Sequence, residues 1–174
     1  MIKTKKELKE YIRIDLSANS FSKLDKIKHF FGGGFISFLV NLRKLEFAIN
    51  NGKRIATFTR SLLHRRFENK YHCKIPPNVF GPGIRFEHPI GIIVNPKARI
   101  GSNCNIHQFV TIGNDGLVDD AATIGDNCYI GAGCCLIGNI KIGNNCVIGA
   151  GAVVTHNFDD NCVLGGVPAR IIKK

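Results

Sequence analysis

Seven cysteines and six histidines are the side chains of this 174-residue sequence best suited to nucleophilic, metal-binding or acid-base work. Spacing removes most of those options for the cysteines. Cys104, Cys128, Cys134 and Cys146 each follow an aliphatic residue by four positions, the total is odd, Cys134 and Cys135 are adjacent, and no C-x-x-C pair occurs. That pattern indicates neither a zinc knuckle nor a disulfide framework. It fits free cysteine used as a small buried hydrophobe. Among the histidines, His29, His64, His72 and His156 read as structural or solvated, which leaves His88 and His107. An imidazole titrates near neutrality and can take a proton from a hydroxyl, although a lone histidine such as His88 is more often structural. A catalytic zinc site built from histidines needs three of them placed together, and His88 and His107 do not evidently supply a third, so no metal is expected.

The elements that must position these residues announce themselves by period. From Val94 an aliphatic residue recurs every sixth position through Ile100, Ile106 and Ile112, then from Ile124 through Ile130, Leu136, Ile142 and Ile148 to Val154. Glycine follows it at Gly101, Gly113, Gly125, Gly131, Gly143 and Gly149. Neither a helical period nor strand alternation produces this rhythm. It predicts a parallel β-helix of three short strands per coil, aliphatic side chains stacking inward about 4.8 Å apart. Glycine suits the corners, where φ is positive or backbones approach closely. Between Ile112 and Ile124, Val118 keeps the phase, but Asn114-Asp115-Gly116 is turn chemistry and Asp119-Asp120 make a poor coil, so a projecting loop is predicted.

Charge and glycine divide the chain near residue 80. The whole net charge of +11 lies in residues 1–80, which hold only four of the 19 glycines. Thr4-x-x-Glu7 is a capping-box pattern opening a helix to about Leu16, and amphipathic runs follow at Phe21–Phe31, Phe35–Ile49 and Ile55–Phe67. Two domains are therefore expected, a basic α-helical one over 1–72 and a β-helix with its tail over 73–174. The cluster Arg60, Arg65, Arg66, Lys70 and Lys74 is a solvated face or a surface for anionic headgroups or a polyanion. No nucleic-acid-binding signature accompanies it. No stretch reaches the roughly 18–20 apolar residues of a membrane span, and no secretory signal is visible. The expectation is a cytoplasmic protein whose basic helices can touch the inner face of the membrane.

Gly83-Ile84-Arg85-Phe86-Glu87-His88-Pro89-Ile90-Gly91-Ile92-Ile93-Val94, Gln108-x-Val110-Thr111-Ile112-Gly113, Ile130-Gly131-Ala132-Gly133 and Gly165-Gly166-Val167-Pro168-Ala169-Arg170 together resemble the serine acetyltransferase branch of the hexapeptide-repeat acyltransferases. The N-terminal helices look like the shorter version in polysaccharide relatives such as colanic acid acetyltransferases. The resemblance implies a left-handed β-helix, a homotrimer with active sites between prisms, a dimer of trimers through the helices as an open alternative, and acetyl-CoA as acyl donor.

By the same resemblance His88 is the general base, and Glu87 replaces an aspartate that would hold the acceptor or steady the imidazole. The family's aspartate partner for the base aligns with Cys73. Gly113, Ala132, Ala150 and Gly151 match small positions along the CoA groove, and Arg170, Lys173 and Lys174 would pair with CoA phosphates. His107 is a weaker lining residue. The Arg-His pair that serine acetyltransferases use on the amino acid falls at Asp120-Ala121, and an aspartate repels a carboxylate where a guanidinium would fork onto it. That departure leads to an expected acceptor of another kind: a sugar hydroxyl of a capsule, exopolysaccharide or O-antigen unit, held by Asp119 and Asp120, with serine O-acetylation in cysteine biosynthesis as the alternative.

Overall fold

The computed structural model describes residues 1–19, 24, 34–116 and 120–173. The chain separates into two compact units, Met1–Lys70 and Tyr71–Lys174.

In the first unit, helix α1 (Lys5–Ala18) opens on Thr4, whose side chain accepts from the Glu7 N–H while the Glu7 carboxylate accepts from the Thr4 N–H, both halves of a capping box. Helices α2 (Gly34–Asn50) and α3 (Arg54–Tyr71) follow. Of the expected helix over residues 21–31, only Leu24, which is helical and exposed, lies among the described residues. Ile36, Phe38, Leu39, Leu42 and Leu45 of α2 are buried, with His64 and Phe67 of α3. Among them sits an ion triad. The Arg43 guanidinium is fully buried, 2.7 Å from Asp15 and 3.0 Å from Glu46, and lies over the Tyr11 ring. Burial opposes its charge, but Glu46 and Asp15 outweigh that and raise its pKa.

The second unit is a left-handed parallel β-helix. Its strands are β1 (Arg85–Phe86), β2 (Ile93–Val94), β3 (Arg99–Ile100), β4 (Asn105–Ile106), β5 (Thr111–Gly113), β6 (Thr123–Ile124), β7 (Tyr129–Ile130), β8 (Cys135–Ile137), β9 (Lys141–Ile142), β10 (Val147–Ile148), β11 (Val153–Val154), β12 (Val163–Gly165) and β13 (Arg170–Lys173). The first face of the prism is β1-β4-β7-β10-β12, the second β2-β5-β8-β11 and the third β3-β6-β9. Strand β13 turns back antiparallel on β12. The aliphatic residues of the six-residue period point inward, and Ile106, Ile112, Ile130, Leu136, Ile148, Val154 and Leu164 are fully buried.

The register dates each insertion. An uninterrupted coil advances 18 residues, as between the partners Tyr129 and Val147. Arg99 pairs with Thr123, 24 residues on, so six residues leave the prism between β5 and β6. This is the predicted loop; Val118 and Asp119 in it lie outside the described residues. Arg85 pairs with Asn105, 20 residues on, so the first coil carries two extra residues, between Phe86 and Val94.

The corner from the third face to the first refines the expected role of glycine. A Cβ on Gly101 or Gly125 would stand 2.6 or 2.8 Å from backbone of the next coil, so close approach, not positive φ, requires glycine there. The left-handed residues are Asn103, Asn127, Asn145 and Asn161, with φ of 57°, 57°, 55° and 62°. Asparagine tolerates that region, and here each side chain also donates to the next, at 3.3, 3.2 and 3.1 Å. Behind this ladder the buried thiols of Cys104, Cys128 and Cys146 each donate to a carbonyl of the next coil at 3.2 Å. The cysteines are therefore packed as small hydrophobes with a weak donor.

Candidate active site

The corner between the first and second faces is where the chemistry-bearing residues meet. The two extra residues of the first coil fall here, in Glu87-His88-Pro89-Ile90-Gly91. His88 is exposed with φ 49°, and its carbonyl accepts from the Ile90 N–H at 2.7 Å, a tight turn that throws the imidazole out of the prism's regular outline. Below it, Gly91 (φ 67°) faces the exposed ring of Phe109, and a Cβ on Gly91 would lie 2.4 Å from that ring.

Later coils strip the same corner of side chains. Where the second coil has Gln108-Phe109, the third has Ala132-Gly133 and the fourth Ala150-Gly151. Gly133 and Gly151 both have φ 69°, and a Cβ on either would meet nothing within 4 Å. The corner is thus an open shelf running from His88 through Ala132, Ala150 and Gly151, about 14 Å of rise at one strand spacing per coil.

Not every candidate residue joins it. Gly113 ends β5 and so lies at the opposite margin of the second face, away from Ala132, Ala150 and Gly151. Glu87 pairs with Arg85, the other outward residue of its strand face, and does not hydrogen bond His88. Cys73 is buried, and among the described residues no carboxylate takes the place of the family's partner for the base. His107 stands one coil beyond Glu87 on the first face, its ring 4.8 Å from that of Tyr129. Asp120 is exposed and accepts from the Ala121 N–H at 3.1 Å. Arg170 and Lys173 are exposed on β13, beyond the last corner of the shelf.

Two residues of this corner carry no site role in the sequence reading, although Gln108 stands in one of its motifs. Phe109 occupies the position that is glycine in the following corners, so an aromatic there was a visible signal. Gln108 has a buried side-chain oxygen with no partner among the described residues.

Known proteins resemble this chain. The bacterial transferase hexapeptide (six repeats) family matches residues 121–156. Serine acetyltransferase of Salmonella typhimurium is 36% identical over 128 residues, 72% of this chain and 46% of that protein. Soybean serine acetyltransferase without ligand superposes with a TM-score of 0.75 at 30% identity, covering 95% of this chain and 69% of that one. The same soybean enzyme complexed with serine gives 0.73 at 29% identity, covering 95% and 69%. The chain spans less than half the length of the curated relatives it matches.

These relatives correct the expected acceptor. They are serine acetyltransferases, and nothing in them supports a saccharide acceptor or a place in polysaccharide biosynthesis. The inference from Asp120 gave one loop position more weight than the whole motif set. The structure gives that carboxylate a local role on the Ala121 N–H and nothing that directs it to a sugar. By its six-residue coils and its likeness to these enzymes along almost its whole length, the chain belongs to the hexapeptide-repeat transferases.

Proposed function

We propose that this chain is an acetyl-CoA-dependent serine O-acetyltransferase acting in cysteine biosynthesis in the cytoplasm. The observation that carries the reading is the placement of His88 in the two-residue extension at the head of the stripped corner. The relatives support the choice of acceptor.

In the proposed reaction the His88 imidazole takes the proton of the serine hydroxyl as that oxygen attacks the thioester carbonyl. The tetrahedral intermediate collapses with cleavage of the carbon–sulfur bond, and the histidine returns the proton to the departing CoA thiolate. The pantetheine arm lies along Ala132, Ala150 and Gly151, where small residues leave room, and Arg170 and Lys173 take the phosphates. Gly113, at the other margin, has no part in this shelf. Three prisms associate as a homotrimer, which sets the corner of one against a face of the next.

Asp120 stands where the resemblance places an arginine for the serine carboxylate. The expected consequence is weak serine binding rather than another acceptor. Steady-state CoA release with L-serine tests the reading. His88→Ala is expected to lose about 10²–10⁴-fold in turnover while keeping the circular dichroism of the folded chain, the usual weight of a general base. Turnover equal to that of the unaltered chain would remove His88 from the mechanism.

A further inference from the structure

The first unit carries an outward face that neither its own core nor the proposed chemistry uses. At 100° per residue, the packed side of α3 is defined by His64 and Phe67, both buried, and by Arg60, whose guanidinium donates to Asn41 Oδ1 at 3.3 Å. Arg60 therefore leaves the basic cluster expected from the sequence. The opposite side holds Ile55, Phe58 and Leu62, spaced i, i+3, i+7 and exposed by 83%, 66% and 54%.

Exposed arginines flank this stripe on both sides. Arg54 and Arg65 stand four residues before and seven after Phe58; Arg66 stands four after Leu62. Ile49, at the end of α2, lines a shallow recess with Gly52, Arg54, Thr57 and Phe58, so the apolar surface continues past the turn. The single acidic residue between 47 and 86 is Glu68, and it faces His64 on the packed side, 3.6 Å away.

Apolar residues along the middle of a helix face, cations on both flanks and no acid are the pattern of a helix lying in a membrane interface. We propose that this face of α3 docks on an anionic lipid surface, with Ile55, Phe58 and Leu62 entering the headgroup boundary and Arg54, Arg65 and Arg66 meeting lipid phosphates. A second copy is the poorer occupant. Two-fold self-pairing would bring the arginines of one copy toward those of the other, and a three-fold contact with a neighbour's helical unit would set them against a unit that is itself strongly basic, like-charge juxtapositions that oppose association. Nucleic acid would satisfy the arginines and leave the three large apolar side chains without a partner. The proposal is independent of the acceptor and of His88.

The sequence contains no tryptophan, so Phe58→Trp places a single reporter on the stripe of the full chain. With vesicles of equal parts phosphatidylglycerol and phosphatidylcholine, its emission is expected to shift to the blue and the protein to co-sediment. Pure phosphatidylcholine should do neither. Arg65→Gln with Arg66→Gln should lower partitioning about thirtyfold. Leu62→Ser in the otherwise unaltered chain, read by co-sedimentation alone, should lower it about tenfold or more. Co-sedimentation without a blue shift, or unaffected by Leu62→Ser, would show that the cations bind without the stripe and overturn the proposal. So would absence of binding, or a blue shift that appears on concentrating the protein without vesicles, which would assign the face to a second copy.

Discussion

His88 owes its position to local backbone geometry that few residues adopt. A φ of 49° is the left-handed region, uncommon outside glycine and asparagine, and the bond from the Ile90 N–H closes the turn around it. The two added residues make this possible, since the other corners of that edge keep the six-residue count and present Phe109, Gly133 and Gly151 instead. The six-residue period does not reveal His88, because the insertion breaks the period there; the Glu-His-Pro-Ile-Gly-Ile-Ile-Val motif does. The sequence reading gives Glu87 the acceptor to hold or the imidazole to steady, whereas in the structure it pairs with Arg85, two residues away on the same strand face. The shelf gives a test at this scale. Ala150 is exposed and makes no core contact that a larger side chain would displace. Ala150→Tyr is expected to raise the KM for acetyl-CoA about tenfold or more by filling the shelf, with an unchanged melting temperature. An unchanged KM would place the pantetheine arm elsewhere.

Among the elements, the coil is held by repeated identical contacts rather than by any large one. Asn127 receives from Asn103, donates to Asn145 and holds a φ of 57°. Asn127→Ala removes both bonds and puts an alanine in the left-handed region, so it is expected to cost about 1–2 kcal/mol, read as a lower denaturation midpoint. A midpoint equal to the parent's would show that the ladder does not stabilise the prism. Asn127→Gly, which keeps the backbone freedom, should cost less. Burial raises the pKa of the Cys134 and Cys146 thiols, as expected of packing residues rather than nucleophiles. In the helical unit, Asp15 and Arg43 are 28 positions apart on different helices, which is why no periodicity of either helix disclosed their pairing. Arg43→Met leaves Asp15 and Glu46 buried without their cation and is expected to cost about 3–5 kcal/mol. Loss of α-helical circular dichroism at lower denaturant is the readout; an unshifted transition would contradict a structural role for the triad.

At the scale of the whole chain, composition already divides the molecule into a basic helical part and a neutral glycine-rich part, because a β-helix needs glycine where coils approach and a small helical unit does not. The period revealed the coil and its inward residues, but not the loop, since Val118 keeps the phase; the turn chemistry of Asn114-Asp115-Gly116 and the paired acids Asp119-Asp120 revealed it, and the register gives it six residues. The acceptor was not legible from single positions. One acid at Asp120 weighed against serine, whereas similarity over most of the chain to enzymes that acetylate serine weighs for it. A side chain in a projecting loop reports its own hydrogen bond more directly than the substrate of the site. The measurement that bears most directly on the account is the product formed by the full chain from acetyl-CoA and L-serine. The account predicts O-acetylserine accumulating in step with CoA release, with a high KM for serine. CoA release no faster with L-serine than in buffer alone would contradict it.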